Sequence, residues 1–107
     1  MDAAHEFLSA LLKGESDKAA AYMIDDEENY AYLKTQIQQL KKRPTDDRDG
    51  YAKASILFEP NDVEEISPTE TVIHYKNSYD RVSRKLKIIK QNNEWLVDFK
   101  YTFNPNL

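Results

Sequence analysis

The sequence predicts an α+β domain: three N-terminal helices packed on a curved antiparallel sheet of about four strands, in a cone or roll. Helical spacing of apolar residues is confined to the chain before Pro44, two-residue alternation dominates from about Tyr51 onward, and the last third reads as a β-hairpin. Helices first and strands afterwards argue for α+β rather than alternating α/β. In the hairpin, Lys85-Leu86-Lys87-Ile88-Ile89-Lys90 leads through a polar turn, Gln91-Asn92-Asn93-Glu94, into a closing strand from Trp95 to Phe103. Period two places Trp95, Val97, Phe99, Tyr101 and Phe103 on one face of that strand and Asp98, Lys100 and Thr102 on the other. Four aromatics at about 150–250 Å² each, at roughly 25 cal/mol per Å², amount to on the order of 15–25 kcal/mol of gross burial, an upper bound because unfolded chains already hide part of it. Such a face requires a cover.

The N-terminal half supplies it. Ala4, Phe7, Leu8, Leu11 and Leu12 fall on one helical face, and Gly14 is a suitable stop. Ser16 and Asp17 can cap a short second helix carrying Ala19, Ala20, Ala21, Tyr22 and Met23. Asp25, Asp26, Glu27 and Glu28 suit the positive end of a third helix, and Lys41, Lys42 and Arg43 its negative end. Tyr30, Leu33, Ile37 and Leu40 give that helix its apolar face, and Pro44 ends it. Residues 45–50 then read as a loop, followed by a strand from about Tyr51 to Phe58, a bend at Pro60 and a continuation from Val63 to Ile66. After a turn at Ser67-Pro68-Thr69, a strand from Thr71 to Tyr79 and a turn at Tyr79-Asp80-Arg81 lead into the hairpin.

Composition bounds the function. The 107 residues suit one domain, 1–107, with a single core. A net charge of -4 argues against nucleic acid as the main partner, since phosphate binding draws on clustered Lys and Arg. The absence of Cys removes disulfides, thiolate nucleophiles and Cys-containing zinc sites. No run approaches the roughly 18 apolar residues of a membrane span, and Met1-Asp2-Ala3-Ala4-His5 lacks the basic start and apolar middle of a signal peptide. His5 and His74 show no ligand spacing, so no metal is expected. Residues 46–50 resemble a calcium loop only superficially: aligning Gly50 to the loop glycine puts Thr45 and Ile56 where acids are needed.

The element order, with Phe7-Leu8 and Leu11 before Gly14, Asn77-Ser78-Tyr79, and the run Lys90 to Phe103 with its Trp95-Leu96-Val97-Asp98 core, resembles the nuclear transport factor 2-like, cystatin-like α+β cone. More narrowly it resembles an uncharacterised branch of that superfamily found in bacterial lipoproteins and secreted proteins. The resemblance implies a conical pocket between helices and concave sheet, a convex sheet face used for dimers, and a cell-envelope location reached through a lipidated segment upstream of Met1. The superfamily includes ketosteroid isomerase-like and SnoaL-like enzymes as well as non-catalytic members, and no enzyme motif transfers residue by residue.

An isomerase of this class needs a carboxylate base on the concave face. With Trp95, Val97 and Phe99 turned to the helices, Asp98 points outward, and the same parity turns His74 outward with Val72 and Lys76. Tyr75, Tyr79 and Tyr101 share the concave face with Trp95, either as an aromatic ligand site or as amphipathic core residues with their hydroxyls at the cone mouth. Lys76, Arg81, Arg84, Lys85, Lys87 and Lys90 gather positive charge on one strand pair, suited either to anionic headgroups or to keeping an exposed sheet from self-pairing.

The expected function is a non-catalytic module binding an apolar or aromatic small molecule or a protein, with no cofactor. The alternatives are an isomerase-like enzyme with Tyr79 or Tyr101 donating to an oxyanion, and a homodimer paired through Val72, His74, Ile89 and Leu96.

Overall fold

The computed structural model describes residues 2–59, 61 and 63–103. Among them are five helices and an open antiparallel sheet of five strands. The order is α1 (Asp2–Leu12), α2 (Ser16–Ala20), α3 (Glu27–Lys41), α4 (Thr45–Lys53), β1 (Ile56–Phe58), β2 (Glu64–Ser67), β3 (Glu70–Asn77), β4 (Arg84–Gln91), β5 (Glu94–Asp98) and α5 (Lys100–Phe103). The α+β class follows directly. Two segments differ from the expected three helices and about four strands, and both differences bear on the site.

Helix α1 stops as its sequence predicts. Gly14 adopts φ 73°, the Glu15 N–H donates to the Ala10 carbonyl at 2.9 Å, and the Gly14 N–H donates to Leu11 at 3.1 Å, closing the helix end in the manner of a Schellman turn. Glu15, rather than Ser16 or Asp17, occupies the cap position of α2, and no side chain caps it. The Asp26 carboxylate caps α3 by accepting the Asn29 N–H at 2.8 Å. Asn29, Leu33 and Ile37 form the buried face of α3, whereas Tyr30 is 43% exposed, because the Asn29 amide is drawn inward to polar partners on the far side of the chain.

Residues 45–53 form α4 where a loop and the start of a strand were expected. Asp46 and Asp47 lie in its first turn, where the helix dipole favours anions. Tyr51 is held helical by long-range contacts: the Arg43 guanidinium lies 5.2 Å over its ring, Tyr79 packs edge-on at 4.8 Å, and its hydroxyl donates to Asp80 at 3.2 Å. Gly50 permits this packing, since a Cβ there would stand 2.2 Å from the Tyr79 ring. The strand therefore begins only at Ile56.

The sheet order is β1-β3-β4-β5, with β2 also paired to β3. Ile56 to Phe58 pair with Asn77 to Tyr75, and Glu64 pairs with Val72, so β1 and β2 run along successive stretches of the same neighbour. The bend expected at Pro60 lies outside the described residues. The β4–β5 hairpin turns on Asn92 (φ 51°) and Asn93 (φ 65°), the two positive angles of a type I′ turn. Ile73, Tyr75, Leu86, Ile88 and Val97 bury one sheet face in a common core with Ala4, Phe7 and Leu8 of α1 and Leu33 and Ile37 of α3. The outer edge of β5 is covered by the α2–α3 connection: the Val97 N–H donates to Tyr22 at 2.8 Å and the Ile24 N–H to Val97 at 2.9 Å.

The closing strand ends at Asp98, not Phe103. The chain leaves the sheet at Phe99, which is 1% exposed with its ring edge-on to Phe7 at 4.9 Å. Helix α5 then takes the place beside β4 that a longer strand would fill, and the Thr102 hydroxyl donates to the Lys85 carbonyl at 2.8 Å. Strand β3 likewise stops at Asn77, whose side-chain oxygen accepts the N–H groups of Tyr79 at 3.0 Å and Asp80 at 2.9 Å.

Candidate functional site

A cavity of about 120 Å³ lies between α1, α3, α4 and the helix-facing side of the sheet. Buried Leu8, Tyr75, Asn77 and Phe99 mark its deep end, and exposed Gln39, Arg43 and Phe103 its mouth. Leu11, Leu12, Leu40 and Ile56 form half-buried apolar walls between the two. The topology explains the mixture: β3 sends Tyr75 and Asn77 inward on the same parity as Ile73, and β4 sends Arg84 inward with Leu86.

The polar side of this cavity is a fixed constellation. The Arg84 guanidinium grips Asp80 in a bidentate pair at 3.2 and 2.9 Å, and the Asp80 carboxylate also accepts the Tyr51 hydroxyl and, at 3.0 Å, the Val82 N–H. Burial pushes the Asp80 carboxyl up, but hydrogen bonds from Arg84, Val82 and Tyr51 outweigh it and bring it down to about 2. The same hydrogen bond from the other side raises the Arg84 guanidinium. Burial pushes the Tyr75 hydroxyl up to about 12.

Of the four residues expected to bind a ligand, Tyr75 lines this cavity. Tyr79 is 44% exposed, beyond the end of β3, and its hydroxyl donates to Asp47 at 2.6 Å while its ring supports Tyr51. Tyr101 is on α5, beneath the Lys87 ammonium at 5.5 Å. Trp95 shares the helix-facing side of the sheet but lies at its other end, in a groove of about 470 Å³ with Tyr22, Leu96 and the start of α1. Every wall residue of that groove is exposed or half-buried, so it is an open surface feature. The four do not form one site.

Sequence reasoning missed Tyr51, Arg43, Gln36, Gln39 and Arg84 as wall residues. Arg84 was legible, since it alternates with buried Leu86 and Ile88; grouping it with the outward lysines overlooked that parity. Gln36 and Gln39 lie on α3 at helical spacing with Leu40, and Arg43 follows just past the helix end, but α4 was needed to enclose them.

Two outward assignments need correction. Asp98 is only 6% exposed: the Asn29 amide donates to it at 3.1 Å and the Lys100 ammonium at 2.6 Å, while the Asn29 carbonyl accepts the Lys100 N–H at 2.8 Å. Burial disfavours the Lys100 ammonium, yet the contact with Asp98 outweighs it and the group is raised. Val72, expected on a dimer face, is 1% exposed and lies between Glu64 and Lys87 in the ladder, leaving no surface to offer a partner. His74, Ile89 and Leu96 are half-buried, and His74 stands opposite Lys85.

Among the described residues, no group of three or more His, Cys, Asp or Glu side chains is placed to hold a metal ion, and no helix is long and apolar enough to cross a membrane. Comparison with known proteins finds no matching family model, no matching curated protein and no matching solved structure.

Proposed function

We propose that this chain is a small-molecule-binding module of the nuclear transport factor 2-like type, serving in the bacterial cell envelope without a catalytic role. The observation that carries the reading is the cavity itself: an apolar interior from α1 and the sheet, faced by hydrogen-bonding groups already locked in place by the Tyr51–Asp80–Arg84 constellation. A pocket whose polar groups are held by their neighbours binds with little ordering cost. The binding reading is favoured over an isomerase-like one because the buried carboxylate, Asp98, is held by Asn29 and Lys100 away from the cavity wall, and Tyr79 and Tyr101 are not wall residues. The envelope location rests on the resemblance of the chain's element order and closing run to that branch of the superfamily.

Native mass spectrometry of the gently purified protein tests the proposal. The expected result is a 12.5 kDa chain carrying additional mass that disappears in Leu40→Trp, where the indole fills the wall of the cavity. Additional mass unaffected by that substitution would place the ligand elsewhere and overturn the assignment.

A further inference from the structure

Resting on the binding reading above, we infer that the cavity selects a molecule with an apolar body about the size of one aromatic ring and an anionic group, held with its charge toward Arg43. The size follows from the volume: about 120 Å³ is close to the ~150 Å³ that accommodates benzene in a protein interior. The charge follows from the walls. The chain carries 19 acidic residues against 15 basic ones, yet among the described residues lining the cavity there is no Asp or Glu, while both Arg43 and Arg84 contribute.

The two arginines are not equivalent. Both terminal nitrogens of Arg84 are committed to Asp80, so its charge is balanced within the wall. Arg43 lies over the Tyr51 ring at 5.2 Å, and among the described residues no carboxylate is within ion-pair distance of it. Its guanidinium remains able to meet an incoming oxyanion, with the amides of Gln36 and Gln39 in the same wall. Leu8 and Phe99 at the deep end receive the apolar body. A cationic molecule of the same shape would lose its hydration beside the Arg43 guanidinium, with the nearby Asp80 carboxylate already committed to Arg84.

Three one-ring probes of similar length separate the possibilities: phenylacetate, 2-phenylethanol and 2-phenylethylamine, titrated calorimetrically into the intact chain at low salt and neutral pH. Phenylacetate is expected to bind about five- to tenfold more tightly than the alcohol, the amine more weakly than either, and Arg43→Gln to erase the advantage of acid over alcohol. The ratio, rather than either affinity, is the readout. Equal affinity for acid and amine, or an acid preference that survives Arg43→Gln, would overturn the anion selectivity while leaving the cavity a binding site. Failure of all three probes to bind would overturn the cavity reading and this inference together.

Discussion

Asn29 is a fully buried amide whose polar atoms bridge the start of α3 to the end of the sheet, meeting Asp26, Asp98 and the Lys100 backbone. Removing it leaves a buried carboxylate short of a donor and the Lys100 N–H without its acceptor, which costs more than the net worth of the bonds themselves. Asn29→Ala is expected to lower stability by about 2–3 kcal/mol in urea titration, and Asn29→Asp by more, because it sets a third carboxylate among Asp26 and Asp98. Gly50 acts through space instead. Gly50→Ala would force the Tyr79 ring off Tyr51 and Asp47 at a cost of about 1–2 kcal/mol, and in a Tyr79→Ala background most of that cost should vanish, which a double-mutant cycle reads directly. Neither role was visible in the sequence, because each depends on a partner far along the chain.

At the scale of elements, what could be read was what is locally determined. The hairpin is encoded in Asn92 and Asn93, a pair that tolerates positive φ, flanked by alternating apolar residues. Asn93→Gly should raise stability by a few tenths of a kcal/mol and Asn93→Val should lower it by about 1 kcal/mol, measured as shifts in the thermal midpoint. Helix α1 and its Gly14 stop were equally legible, because periodicity and the cap lie within one stretch. Helices α4 and α5 were not. Thr45–Lys53 has neither an apolar stripe nor a buried residue, and its Tyr51 is fixed by Arg43, Tyr79 and Asp80. Alternation alone would carry β5 through Phe103, but Phe99 turning into the core against Phe7 and Thr102 satisfying the Lys85 carbonyl end it at Asp98. Parity failed with the strand: Tyr101 left the sheet with α5.

For the whole molecule, Asp80 joins the turn after β3 to α4 and β4, and its protonation reports on that assembly. Its carboxyl is depressed from 3.8 to about 2 in the folded chain, so the stabilisation it contributes is complete above about pH 4 and fades as pH falls toward 2. The contribution is on the order of 1 kcal/mol, since water reaches one side of the pair. The difference in urea midpoint between the parent chain and Asp80→Asn should therefore narrow between pH 4 and pH 2. The α+β arrangement was legible at this scale because helices and strands occupy separate halves of the chain. Of the candidate site, Tyr75 was read and Arg84 was open to the same parity argument, whereas Tyr51 reaches the wall through α4, the element that local pattern conceals. The cavity between α1, α3, α4 and the sheet, not the Trp95 groove, is the proposed binding site, and methyl-resolved NMR during a phenylacetate titration tests this most directly. The expected result is that the shifts concentrate on Leu8, Leu11, Leu40 and Ile56, whereas shifts concentrated on Leu96 and Ala21 beside Trp95 would contradict it.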